Sequence, residues 1–313
     1  MATSYQDFFK YYLKLPTTDK DIKAMKQDID SHKYDTWSDL EMGLGAYSSK
    51  CAEKRVFLKC LTDIKQNLRE YLKKESERIG QFAVSSTANF INPGNFLDPE
   101  PRTIYDKFRN NESADVSIDV ITLNYTETLE TLFGVKKKFV MLSQMTSLQS
   151  VLHIHGTLNE MMCMGVNDSS QISNVTFISD DDVVEDFIKP EFNDACMNNK
   201  NAMGESLIEK ADIIVLYGTS LGSSDKKWWR LIGERMNSDN YPLLVYLAYD
   251  KDKDQLAEPN HMRRWTKAYL REIKEKFDIK IEDTVLASRV CVALNKKLFP
   301  LTANAKSPIR VSR

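Results

Sequence analysis

The chain has 313 residues, of which 42% are hydrophobic and 28% charged, with 43 Lys and Arg against 45 Asp and Glu. This length buries a substantial core as one large domain or two smaller ones. No apolar run approaches the roughly 18 residues of a membrane helix, and the near-balanced charge gives no field to gather a phosphate backbone, so nucleic acid is unsupported as a partner.

Five cysteines (Cys51, Cys60, Cys163, Cys196 and Cys291) form no CxxC pair and read as reduced thiols. The opening MATSYQDFFKYYLK lacks the basic start and apolar core of a secretory signal. A cytoplasmic chain is expected, with the N-x-S/T sequons at Asn111, Asn124, Asn167 and Asn174 as chance matches.

In chain order, the first eighty residues read as helix. Thr3-Ser4-Tyr5-Gln6 and Ser38-Asp39-Leu40-Glu41 match the capping box, in which two side chains satisfy free amides at a helix start. From about 48 to 80, Val56, Leu58, Leu61, Ile64, Leu68 and Leu72 form one apolar stripe of a long amphipathic helix. Residues 85–102, SSTANFINPGNFLDPEPR, are rich in Pro, Gly, Asn and Ser and are expected to be a loop or linker.

Four short apolar runs come next: IDVITL (118–123), VLHIH (151–155), ADIIVLYG (211–218) and PLLVYLAY (242–249). Their continuous apolarity predicts strands of a parallel sheet covered on both faces. Helices are predicted over 180–189, 203–210, 224–236 and 255–277, and this alternation defines an α/β fold. The expected organisation is a helical region 1–84, a linker 85–102 and an α/β region 103–313, with the first and last forming one composite domain. Trp228 and Trp229 are expected to pack helices, and the tail VCVALNKKLFPLTANAKSPIRVSR to be a frayed, mildly basic end.

In open α/β sheets ligands bind beyond the carboxyl ends of strands, so the residues immediately past each strand matter most. The first strand runs into Asn124-Tyr125-Thr126, the second into His155-Gly156-Thr157, and the third into Gly218-Thr219-Ser220-Leu221-Gly222-Ser223-Ser224-Asp225. Gly218 and Gly222 permit tight turns, and a helix starting near Ser224 would offer free amides to an anion such as a nucleotide phosphate. Asp225 would repel phosphate there and suits capping, so a plain strand-to-helix turn stays open as an alternative. His153 and His155 share one face of a strand about 6.6 Å apart. His155, beside a flexible glycine, is the candidate for chemistry, and His153 is expected to be a hydrogen-bonded core residue. A zinc site would need further ligands, which stand at no recognisable spacing, so no metal is predicted.

ITLNYTETLETLFG (121–134), VLHIHGTLNEMMCMGVND (151–168) and ADIIVLYGTSLGSSDKKWW (211–229), with TSYQDFFKYY (3–12) and TWSDLEMGLGAY (36–47), together resemble the AbiH family of bacterial abortive-infection proteins, within the sirtuin-like NAD-binding group. The resemblance implies a sirtuin-like Rossmann variant, a parallel sheet with large helical insertions, acting on NAD in antiphage defence. It implies Asn124 and His155 as the catalytic residues at the nicotinamide ribose. It further implies Gly156, Gly218, Thr219 and Ser220 as NAD-binding, with Asp225 at a motif position of unassigned role.

The implied activity is NAD hydrolysis, with NAD as substrate and a homo-oligomer or a defence-system protein as partner. A deacylase would use the same pocket, but no paired CxxC marks the zinc module it usually carries. In the family an apolar strand ending in a Gly-Asn-Gly-Phe-Asp loop precedes the TSYQDFF segment, and Met1 stands where that loop has already ended. A misplaced start or a truncation would leave the hydrolase reading in place, whereas real loss of the loop makes a nucleotide-sensing or scaffold subunit the alternative.

Overall fold

The computed structural model describes residues 5–79, 82–84, 87–109, 116–133, 140–143, 146–250, 252–253, 259–299 and 301–303. The helices are α1 (Tyr5–Lys14), α2 (Lys20–His32), α3 (Trp37–Tyr47), α4 (Lys54–Ile79), α5 (Ala88–Ile91), α6 (Pro99–Arg109), α7 (Thr128–Phe133), α8 (Asp181–Phe187), α9 (Lys189–Ala195), α10 (Lys200–Lys210), α11 (Lys226–Met236), α12 (Pro259–Lys276) and α13 (Asp283–Ala287). The strands are β1 (Phe82–Val84), β2 (Val116–Thr122), β3 (Val140–Ser143), β4 (Thr146–His153), β5 (Ile213–Tyr217), β6 (Leu243–Ala248), β7 (Val290–Leu294) and β8 (Leu301–Ala303).

The α/β reading holds, but the described strands form more than one sheet. β5, β6 and β7 make a fully parallel sheet in that order. β2 and β4 pair in parallel, while β3 runs antiparallel on the far side of β4. Only residues 144 and 145 separate β3 from β4, and a connection that short joins antiparallel neighbours alone.

β6 shows why continuous apolar runs are buried strands. Leu244, Tyr246 and Ala248 enter one core with Trp228, Trp229, Ile273 and Phe277, while Leu243, Val245 and Leu247 enter another with Tyr105 and Cys291. Both faces of the strand are thus covered, as its period-2 geometry requires. Trp228 and Trp229 pack as expected, with Trp229 stacked on Phe277 at 5.8 Å between ring centres.

The amino-terminal helices build a third core, in which Phe8, Tyr12, Leu40, Leu44, Phe57, Leu61, Ile64 and Leu68 meet Met164, Val166 and Phe187 from beyond β4. The segment after β4 therefore ties the helical layer to the strand ends.

Three expectations are corrected. The cap of α3 lies two residues before the predicted one: Thr36 Oγ1 accepts from the Asp39 amide at 3.2 Å, and the Asp39 carboxylate accepts from the Thr36 amide at 2.9 Å. Thr3 and Ser4 of the other proposed box lie outside the described residues. Of the expected loop 85–102, residues 85 and 86 lie outside the described residues, and 87–102 contain α5, a 3-10 turn at Pro93–Phe96 and the start of α6. Pro93 and Pro99 stand at first helical positions, where a missing N–H costs nothing. The first part of the tail forms β7, whose buried side chains make it a full member of the parallel sheet, while residues 304–313 lie outside the described residues.

Candidate functional site

β4 delivers the two histidines into different surroundings. His153, its last residue, has Nδ1 2.9 Å from the Asn124 carbonyl and Nε2 2.9 Å from Glu130 Oε1, the hydrogen-bonded core role expected for it. Burial opposes its charge, but the Glu130 carboxylate outweighs this and raises its pKa. His155 follows beyond the strand, with its carbonyl held by the Cys163 amide at 2.9 Å and its ring facing Tyr125 at 6.2 Å between centres. Gly156 turns the chain at φ +80, and a Cβ there would meet the Met161 carbonyl at 2.0 Å, so only glycine fits.

His155 Nε2 stands 3.0 Å from Asp225 Oδ1. The ring is turned off the hydrogen-bond line, and Nε2 makes no aligned hydrogen bond. The same Asp225 oxygen accepts from Lys189 Nζ at 2.9 Å, and Lys189 reaches Glu41 Oε2 at 2.8 Å. Glu41 Oε1 in turn accepts from the Gly165 amide at 3.2 Å. These four side chains, from α3, α9 and the ends of β4 and β5, are 4–13% exposed.

Taking such groups from water costs several kcal/mol each unless they are mutually compensated. Burial would raise the Asp225 carboxyl, but Lys189 and then His155 hold it well below the ordinary carboxylate range. Burial would lower the Lys189 amine, but Asp225 and Glu41 hold it above its ordinary value.

The turn after β5 differs from expectation in one respect. The Ser224 amide is taken by Ser38 Oγ at 3.1 Å and the Lys227 amide by Asn167 Oδ1 at 2.6 Å, so the start of α11 is already filled by protein groups. Asp225 does not cap that helix with its side chain, because its carboxylate faces Lys189 and His155. The outer part of the turn is open. Gly218 adopts φ +67 with nothing near its Cβ position, Ser220 is exposed, and Leu221 is held at φ 52, a costly conformation for leucine.

The fold thus joins His155 to Asp225 directly. Asn124 lies at the exposed end of β2, tied to His153 through its carbonyl, and its side chain faces outward. No side-chain bond links Gly218, Thr219 or Ser220 to His155: Thr219 Oγ1 accepts from the Leu221 amide, and the Ser220 carbonyl accepts from Lys276. The crevice beside the ion cluster, lined by Ile154, Asn167, Asn193, Asn201 and Trp228, holds about 10 Å³, the space of a single water. Pockets for small ligands begin near roughly 300 Å³, so this crevice is too small for one.

Glu41 and Lys189 were not among the residues expected at the site. Glu41 carried a signal, its place in S-x-x-E, but one that points to a local cap; a lysine beside a proline carries none.

An α/β protein with a buried imidazole–carboxylate–ammonium cluster at its strand ends is the class defined by these features. The family described as bacteriophage abortive infection AbiH matches residues 1–247, most of the chain and all of the cluster, and the protein belongs to that family. Membership implies a role in bacteriophage abortive infection. No curated protein and no solved structure matches the chain. Among the described residues no helix is long and apolar enough to cross a membrane.

Proposed function

We propose that this abortive-infection protein hydrolyses NAD at the nicotinamide–ribose bond, on a sirtuin-like Rossmann variant, with His155 as general base. The observation that carries the reading is the Asp225 carboxylate 3.0 Å from His155 Nε2. Nicotinamide in NAD is already a cationic leaving group and departs neutral, so no strong acid is needed. The remaining work is to take a proton from attacking water, or from a ribose hydroxyl, and to hold that group in line.

His155 takes the proton, and Asp225 stabilises the imidazolium that forms. Asn124, exposed and able to donate and accept at once, orients the water. Gly156 and the Gly218-Thr219-Ser220 turn border the dinucleotide. His155 itself is only 3% exposed, so substrate reaches its ring once the cover that includes Tyr125 is displaced.

That same burial, with the amides at the start of α11 already occupied, favours a second reading, a nucleotide-sensing subunit that signals to a partner protein. Incubating purified protein with NAD separates the two. Equimolar nicotinamide and ADP-ribose support hydrolysis, whereas saturable NAD binding without either product supports the sensor.

A further inference from the structure

Asp225 is shared: one oxygen, Oδ1, receives both Lys189 Nζ at 2.9 Å and His155 Nε2 at 3.0 Å. Lys189 is divided in turn between Asp225 and Glu41, whose other oxygen is fixed by the Gly165 amide. The groups facing His155 from packed elements are few. Asp225 contacts it, and Lys189 and Glu41 stand behind. The Tyr125 phenol donates to the Cys163 carbonyl at 2.6 Å, and burial raises its pKa well above the ordinary value. Burial likewise pushes the Cys163 thiol up to about 12. Among the described residues, Asp225, Lys189 and Glu41 are thus the ionisable side chains linked to the imidazole by contact, with Lys65 of α4 acting beyond them on the Cys163 thiol.

We propose that Glu41 and Lys189 are positioning residues that divide the charge of Asp225, so that the helical layer, through α3, sets how much of it the imidazole feels. This rests on the reading of His155 as the working base. Two opposed effects result. Without Glu41, Lys189 belongs wholly to Asp225 and offsets more of its charge. Without Lys189, Asp225 acts on His155 undiminished.

The four histidines make the test tractable, because each imidazole signal in a 13C-histidine NMR spectrum can be assigned by a single His→Asn substitution. Relative to the unsubstituted protein, Glu41→Gln is expected to move the His155 titration to lower pH and Lys189→Met to higher pH, each by about one unit. The double variant should return toward the starting value, and the His153 titration should stay put as an internal control of folding.

Shifts in the same direction, or none while His153 reports an intact fold, would overturn the proposal. Should Lys189→Met fail to fold, Glu41→Gln and the double variant, which removes both charges, still decide. Nicotinamide release measured on the same samples keeps the two claims apart. Opposed shifts in a protein that never cleaves NAD remove the hydrolase reading alone, and cleavage without the shifts removes the positioning alone.

Discussion

Ser38 Oγ accepts a hydrogen bond from the Ser224 amide at 3.1 Å, across 186 residues of sequence. The contact fastens α3 to the turn after β5 and places Glu41, one helical turn further on, beside Lys189. Ser38→Ala leaves a buried amide without its acceptor and is expected to cost about 1–2 kcal/mol in urea unfolding. Ser38 does not cap α3, so a loss below a few tenths would mean that the Ser224 amide has another partner.

Two glycines at positive φ separate backbone strain from collision. Gly218→Ala meets nothing and should lose only about 1–2 kcal/mol to the left-handed backbone. Gly156→Ala adds a clash with the Met161 carbonyl and should lose clearly more, read as a larger drop in melting temperature. Equal losses would contradict the close approach at Gly156.

The His153–Glu130 pair gives stability a defined pH course. His153 titrates above its ordinary value in the folded chain, so its contribution is complete below about pH 6.5 and is lost as pH rises through the raised value. Burial opposes ionisation of Glu130, but the His153 hydrogen bond, a backbone hydrogen bond and the His153 charge together lower its pKa, so its contribution is present above the ordinary carboxylate range and is lost in acid. Unfolding free energy should therefore fall from pH 6 toward pH 8 by an amount that Glu130→Gln removes, about 1–2 kcal/mol. An unchanged slope in Glu130→Gln would place the titration elsewhere.

Much of the fold was legible because it obeys local rules. β6 is apolar at every position because both faces are covered, and the helix over 54–79 results from its stripe. The cluster around His155 was half legible. His155 and Asp225 stand at strand ends, where topology concentrates ligands. Ser38 and Glu41 imitate a capping box while their side chains reach Ser224 and Lys189, far away in sequence. Spacing alone cannot distinguish a local cap from a long-range partner built of the same residue types. The ordering of 88–109 went unread because Pro93 and Pro99 signal a break in general and a helix start only when the residues after them pack.

The thiols should divide sharply. Cys196 is partly exposed, whereas Cys60, Cys163 and Cys291 are buried and each pushed up to about 12. Native protein should titrate one thiol quickly with a disulfide reagent and release the remainder on unfolding. A second fast thiol would contradict the packing around the buried set.

The central claim is that His155, held by Asp225, cleaves NAD during infection. Its most direct test is cellular NAD in phage-challenged bacteria expressing either the unsubstituted protein or His155→Ala at equal level. A large fall in NAD, accompanied by nicotinamide release, is expected in the former alone. An equal fall with His155→Ala, or protection from phage with NAD intact, would contradict it.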